Sequence, residues 1–112
     1  MLKTDSEKKK RRGKEEEIIA GQYLESIGWI ILARNFRSRR GEIDIVAVRE
    51  NILSFVEVKS ANRITKRDLE HVIGIKKRTS IIETSKLFLV INRKYKRYHI
   101  RFDVMLIQEN AC

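Results

Sequence analysis

Residues 41–60 read Gly41-Glu42-Ile43-Asp44-Ile45-Val46-Ala47-Val48-Arg49-Glu50-Asn51-Ile52-Leu53-Ser54-Phe55-Val56-Glu57-Val58-Lys59-Ser60. β-Branched and aromatic residues fill two runs, about 42–49 and 52–60, separated by a polar pair, and the stretch predicts a β-hairpin. Acidic and basic side chains interrupt both runs. Asp44 stands in the first, Glu57 and Lys59 in the second. Charge inside such runs is costly to bury unless something pairs with it. A turn at Glu50-Asn51 sets Asp44 directly across from Glu57. Glu57 and Lys59, two positions apart, then share a sheet face. A slip of one residue would separate the three groups, so the cluster depends on the register.

A divalent cation and a phosphate are natural partners for two carboxylates and an ammonium. Mg²⁺ takes oxygen ligands, typically one or two carboxylates with waters and substrate oxygens. Asp44 and Glu57 supply the carboxylates, and the backbone carbonyl of Val58 could supply another oxygen. Lys59 could orient a water or stabilise negative charge developing on a phosphate. Such a set, with Mg²⁺ or Mn²⁺, suits hydrolysis of a phosphodiester. Glu17 is the candidate for a further carboxylate. The competing reading of the Asp…Glu-x-Lys pattern is an edge hairpin with a solvated ion pair. The apolar flanks, Ile43, Ile45, Val46, Phe55, Val56 and Val58, favour the site.

The chain has 112 residues, the length of one domain, and a formal net charge of +10. Residues 1–14 hold seven Lys/Arg and two Asp/Glu, and the remainder holds 18 basic and 13 acidic residues. The folded part is therefore basic as well as the terminus. An anionic partner is expected, nucleic acid first. The plainer reading is a basic protein kept soluble by its charge, or one bound to RNA. The single cysteine, Cys112, permits no disulfide or cysteine metal site within one chain. His71 and His99 are isolated. No apolar run reaches membrane length and the N-terminus lacks an apolar signal core, so no membrane association and a cytoplasmic location are expected.

Outward from the hairpin, residues 1–13 read as a flexible basic arm, residues 14–108 as the domain and residues 109–112 as a tail. A helix is expected over 14–27, with Ala20, Tyr23, Leu24 and Ile27 as its apolar stripe and Gly28 as its stop. Glu17 borders the buried side of that helix, within reach of a sheet-borne site; a plain helix-N-terminal charge is the other account of it. Residues 29–36 read as the first strand. Arg34 and Arg37 lie near its end, and the basic turn that follows, Ser38-Arg39-Arg40-Gly41, suits a phosphate backbone or simply a solvated loop. A polar connection, 60–66, leads to a second helix over about 67–84, with Leu69, Val72, Ile75, Thr79 and Ile82 at helical spacing. Residues 87–91 read as a short central strand, 92–98 as a basic loop, and 99–107 as the last strand. The expected architecture is α/β, a mixed sheet flanked by helices. Three strands form an antiparallel meander, and a right-handed crossover through the second helix sets 87–91 parallel to 55–59.

This order and these residues resemble the restriction-endonuclease-like, PD-(D/E)xK nuclease fold, and more narrowly the YraN-like family of small bacterial proteins. The resemblance spans about residues 13–107. It rests on Gly13 and Glu17, Arg34-Asn35-x-Arg37, Gly41-Glu42-Ile43-Asp44, Phe55-Val56-Glu57-Val58-Lys59, Lys76, and Arg101-Phe102-Asp103-Val104. It implies a nucleic-acid-binding scaffold with nuclease-type residues at Glu17, Asp44, Glu57 and Lys59. A similar look is shared with archaeal Holliday-junction resolvases, which points by analogy to branched DNA. Ile43 stands where the superfamily has proline, as is usual in the YraN-like subgroup. After Lys59 the chain runs Ser60-Ala61-Asn62-Arg63, without the glycine-containing loop usual there, so the basic contact is expected to shift to Arg63.

Three functions compete at this level. The first is a Mg²⁺- or Mn²⁺-dependent endonuclease acting on DNA. The second is a non-catalytic nucleic-acid-binding module, and the third a basic adaptor with a protein partner. Arg34, Arg37, Arg39, Arg40, Arg63 and Lys76 are the candidate nucleic-acid contacts. A homodimer is attractive because a single site cuts one strand.

Overall fold

The computed structural model describes residues 4–61 and 74–108. Helix α1 runs Asp5–Ser26, followed by β1 (Ile30–Ser38), β2 (Gly41–Arg49) and β3 (Ile52–Ser60). Then come α2 (Ile75–Ile91), a 3₁₀ turn at Arg93–Tyr95, and β4 (His99–Ile107). The expectations for Arg63, His71, Leu69, Val72 and the tail lie outside the described residues. The sheet order is β1-β2-β3-β4, antiparallel except for the parallel pair β3–β4. The expected α/β architecture, a mixed sheet flanked by helices, is present.

Two expectations change. α1 begins at Asp5, so positions 5–13, read as an arm outside the helix, continue it. Residues 87–91 are not a strand: they are the last turn and more of α2. The place beside β3 is taken by β4, paired from Ile52↔His99 to Ser60↔Ile107. Among the described residues the order is thus αβββαβ, one strand fewer than expected. A short, wholly apolar run cannot distinguish strand from buried helix by period. Here one residue of the run, Phe88, provides the anchor: it is buried edge-on against Phe36 and Phe55, with ring centroids 5.3 and 5.7 Å away.

The sheet separates two apolar layers. Under α1, Ala20 and Leu24 pack with Trp29, Ile45, Ala47, Val56 and Val58. Under α2, Phe88 packs with Ile43, Val46, Val48, Leu53 and Phe55. α1 ends as expected at Gly28, whose φ of +96° suits glycine. The Gly28 N–H reaches the Glu25 carbonyl and the Trp29 N–H the Leu24 carbonyl, the two bonds of a Schellman cap. The β2–β3 ladder runs from Arg49↔Ile52 to Ile45↔Val56, the register set by a turn at Glu50-Asn51.

Beyond Ile45↔Val56 the sheet forks. β2 stays paired with β1 as far as Ser38↔Gly41, and β3 stays paired with β4 as far as Ser60↔Ile107, while β2 and β3 pair no further. The fork coincides with a break in alternation. Ile43 and Val46 pack in the same layer although three positions apart, and Ile45 packs in the other. Asp44 occupies this break.

Candidate active site

Parting two strands leaves backbone groups without ladder partners, and these must find others. The Asp44 carboxylate accepts from the Val58 N–H at 2.7 Å. Asp44 thus engages the residue after Glu57 rather than completing a ladder pair with Glu57 itself. The N–H and C=O of a strand residue point to the same side. The Val58 carbonyl therefore faces the fork too.

α1 closes one side of the fork. Asn35, placed by the register between Arg34↔Ile45 and Phe36↔Ile43, stands against Asp44 on β1. Its φ of +53° is the left-handed conformation that asparagine tolerates better than most residues. Arg34 turns to α1, 3.6 Å from Glu25, while Phe36 packs under α2, so β1 changes face at Asn35. The Asn35 side chain hydrogen-bonds Glu17.

The result is a hollow of about 480 Å³ lined by Gly13, Glu16, Glu17, Glu42, Asp44, Glu57, Val58, Lys59, Ser60 and Lys77. Glu57 is buried and accepts two ammonium groups, Lys59 Nζ and Lys77 Nζ, each 3.3 Å from its Oε1. Among the described residues, Asp44 has no such cation. Burial, first, and the neighbouring carboxylates Glu57, Glu17 and Glu42 push its pKa up to about 7, against the downward pull of the Val58 N–H. Glu17 is also raised, chiefly by burial, and is lowered in part by its hydrogen bonds to Asn35 and Asp44. Carboxylates crowded in a half-dry hollow with elevated pKa values mark a place short of positive charge.

Among the described residues, no three His, Cys, Asp or Glu side chains form a ready-made metal-binding group. The oxygen-only donors present, Asp44, Glu57 and the Val58 carbonyl, match the hard, partly hydrated coordination of Mg²⁺, which seldom relies on an all-protein cage.

The structure thus brings together Glu17, Asp44, Glu57, Val58 and Lys59. The expected nucleic-acid contacts are less concentrated. Arg34 is tied to α1, its guanidinium lying over Gly21, where a Cβ would meet Nη1 at 2.5 Å. Arg37 pairs across the strands with Glu42 at 3.6 Å. Arg39 and Arg40 are exposed in the β1–β2 turn. Lys76 falls in the first turn of α2, with its side chain outside the description. Lys77 was not singled out by the sequence, because which lysine of Lys76-Lys77 faces the sheet depends on the phase of the helix as it packs. Glu16, Glu42 and Asn35 were also missed. Glu42 sits next to Asp44's strand neighbour, and an asparagine inside a strand pattern is a recognisable sign of an αL kink.

The profile of the uncharacterised protein family UPF0102 matches residues 16–107. A UPF0102 protein of Treponema denticola is 39% identical over 105 residues, covering 88% of this chain and 81% of its own. One from Lachnoclostridium phytofermentans is 43% identical over 99 residues, covering 88% and 84%. A third, from Clostridium botulinum, is 36% identical over 95 residues, covering 85% and 77%. The match takes in every residue that lines the hollow except Gly13, and the chain belongs to UPF0102, the YraN family.

Proposed function

We propose that this protein is a divalent-metal-dependent endonuclease that hydrolyses phosphodiester bonds, with DNA, in branched or structured form, as its substrate. The observation that carries the reading is the forked sheet, which brings Asp44, Glu57 and the Val58 carbonyl to one hollow beside Lys59. Asp44, Glu57 and the Val58 carbonyl would hold Mg²⁺ or Mn²⁺, which when bound would polarise the scissile phosphate and make water a stronger nucleophile. The protein's own groups complete the chemistry. Lys59 lies beside Glu57, where its ammonium can stabilise charge building on the phosphate or orient the attacking water. Lys77 holds the same carboxylate from the opposite element, 3.3 Å away, and keeps it aimed. Glu17, fixed by Asn35, supports the orientation of Asp44. The net charge of +10 suits a polyanionic substrate, with the exposed Arg39 and Arg40 as backbone contacts.

The test is cleavage of linear duplex, single strand, flap, four-way junction and structured RNA by purified protein with Mg²⁺ or Mn²⁺, beside Asp44→Ala and Glu57→Ala. Metal-dependent cutting that is lost in both variants is the expected result. Cutting that persists in both would refute the assignment. A second reading, a nucleic-acid-binding module without activity, is favoured by the two ammonium groups that already engage Glu57 Oε1. Salt-sensitive binding without cleavage of any substrate would select it.

A further inference from the structure

Among the described residues, β4 lies at one edge of the sheet. Edge strands of soluble proteins are normally protected by charge, proline or a bulge, because unpaired backbone groups recruit other strands. On the face toward α2, β4 carries none of these. Ile100, Phe102, Val104 and Leu106 follow one another there and are 38, 49, 39 and 47% exposed. Phe102 stacks on Phe55, which fixes this face as the α2 side. The other face is charged at its centre. Arg101 lies over Trp29 and 3.0 Å from Asp103, whose carboxylate also accepts from Ser54 at 2.5 Å.

The backbone sets which residues are free to pair outward. The His99 N–H bonds inward to Asn51, and the Ile107 carbonyl bonds inward to Ala61. Odd-numbered residues therefore point their backbone groups at β3. The N–H and C=O groups of Ile100, Phe102, Val104 and Leu106 point outward.

We propose that the occupant of this edge is a second copy of the same chain, its β4 antiparallel to the first about a two-fold axis at Phe102. In that register Phe102 meets Phe102 of the partner subunit, and Ile100 meets Val104 of the partner subunit, all with outward backbone groups. On the opposite face Arg101 meets Asp103 of the partner subunit, and the symmetry repeats the pair. Opposite charges directly across from one another are the favourable cross-strand arrangement. The strand is thus self-complementary in backbone, apolar surface and charge at once, as an isologous interface requires. The assembly is a continuous eight-stranded sheet, and the two copies of β3 run in opposite directions. The two forked hollows open at opposite ends of that sheet.

The experiment is sedimentation equilibrium of the full chain across a concentration series. The expected mass is twice the 13.3 kDa of one chain. Arg101→Asp and Asp103→Arg each place like charges opposite one another and should weaken self-association at least tenfold. The double variant restores opposite pairs and should recover it, with circular dichroism verifying that every variant is folded. A register test uses F102C with C112S. It should form a covalent dimer on oxidation, because residues facing each other across the axis lie within disulfide reach. V104C with C112S should not, since Val104 faces Ile100 of the partner subunit. A monomer throughout the series, a dimer indifferent to the charge exchange, or cross-linking at 104 instead of 102 would overturn the proposal.

Discussion

Replacing Asp44 by asparagine should make the metal-free protein more stable, and the gain should depend on pH in one direction only. The folded carboxyl keeps its proton up to about pH 7, against 3.8 for the free side chain. Between those values the native state binds more protons than the unfolded chain, so stability falls as pH rises through the window. The group costs little below pH 4 and its full amount above pH 7. A shift of about three units would correspond to about 4 kcal/mol for a fully insulated group. Asp44 retains contact with water, and we take about half of that, ~2 kcal/mol. Asparagine removes the charge while its side-chain oxygen still accepts from the Val58 N–H. For a chain of this size the expected gain at pH 8 is about 8 °C in Tm. Thermal unfolding in EDTA, wild type against variant, from pH 4 to 8, measures it. The gap should open between pH 4 and 7 and then level off. A gap that is constant, or that narrows as pH rises, would refute the reasoning. Adding Mg²⁺ should raise the melting temperature of the wild type more than that of the variant.

Three further outcomes follow from the same geometry. Lys59→Met and Lys77→Met should each cost about 1 kcal/mol, because the other ammonium still pairs with Glu57; the double variant should lose more than the sum, about 3 kcal/mol or more, in urea unfolding. Asn35→Gly keeps the left-handed backbone and Asn35→Ala does not, so alanine should be less stable by about 1 kcal/mol, while both variants loosen Glu17 and lose activity alike. Removing Arg39 and Arg40 by alanine should weaken DNA binding evenly across sequences and reduce the slope of log affinity against log salt by about one per arginine.

Much of this fold was legible because local rules and tertiary pairing agree in the hairpin. The turn at Glu50-Asn51 fixes the register, and Glu50 adopts the positive φ of 54° that a tight reversal requires. Residues 87–91 were misread because a run of Leu-Phe-Leu-Val-Ile looks like a buried strand. The helix leaves Leu87, Val90 and Ile91 exposed, so the pattern does not report the burial it suggests. The members of the site were legible, and their arrangement was not. Asp44, Glu57 and Lys59 stand out as charges in apolar runs. That β2 and β3 separate at Asp44 depends on competition from β1 and β4, which hold the two strand ends apart. Lys77 joins only through packing of a helix whose phase follows from the burial of Phe88.

The β1–β2 turn is latched to α2 by hydroxyl groups. Ser38 and Thr84 share a hydrogen bond of 2.7 Å, Ser80 donates to the Arg40 carbonyl, and a Cβ at Gly41 would strike the Ser80 hydroxyl. Ser80 lies about one helical turn from Lys77. A pull on Arg39 or Arg40 is therefore delivered through two hydrogen bonds to the helix that carries a counter-charge of Glu57. Tension on the turn and the aim of that carboxylate become mechanically one degree of freedom, with α2 as the lever.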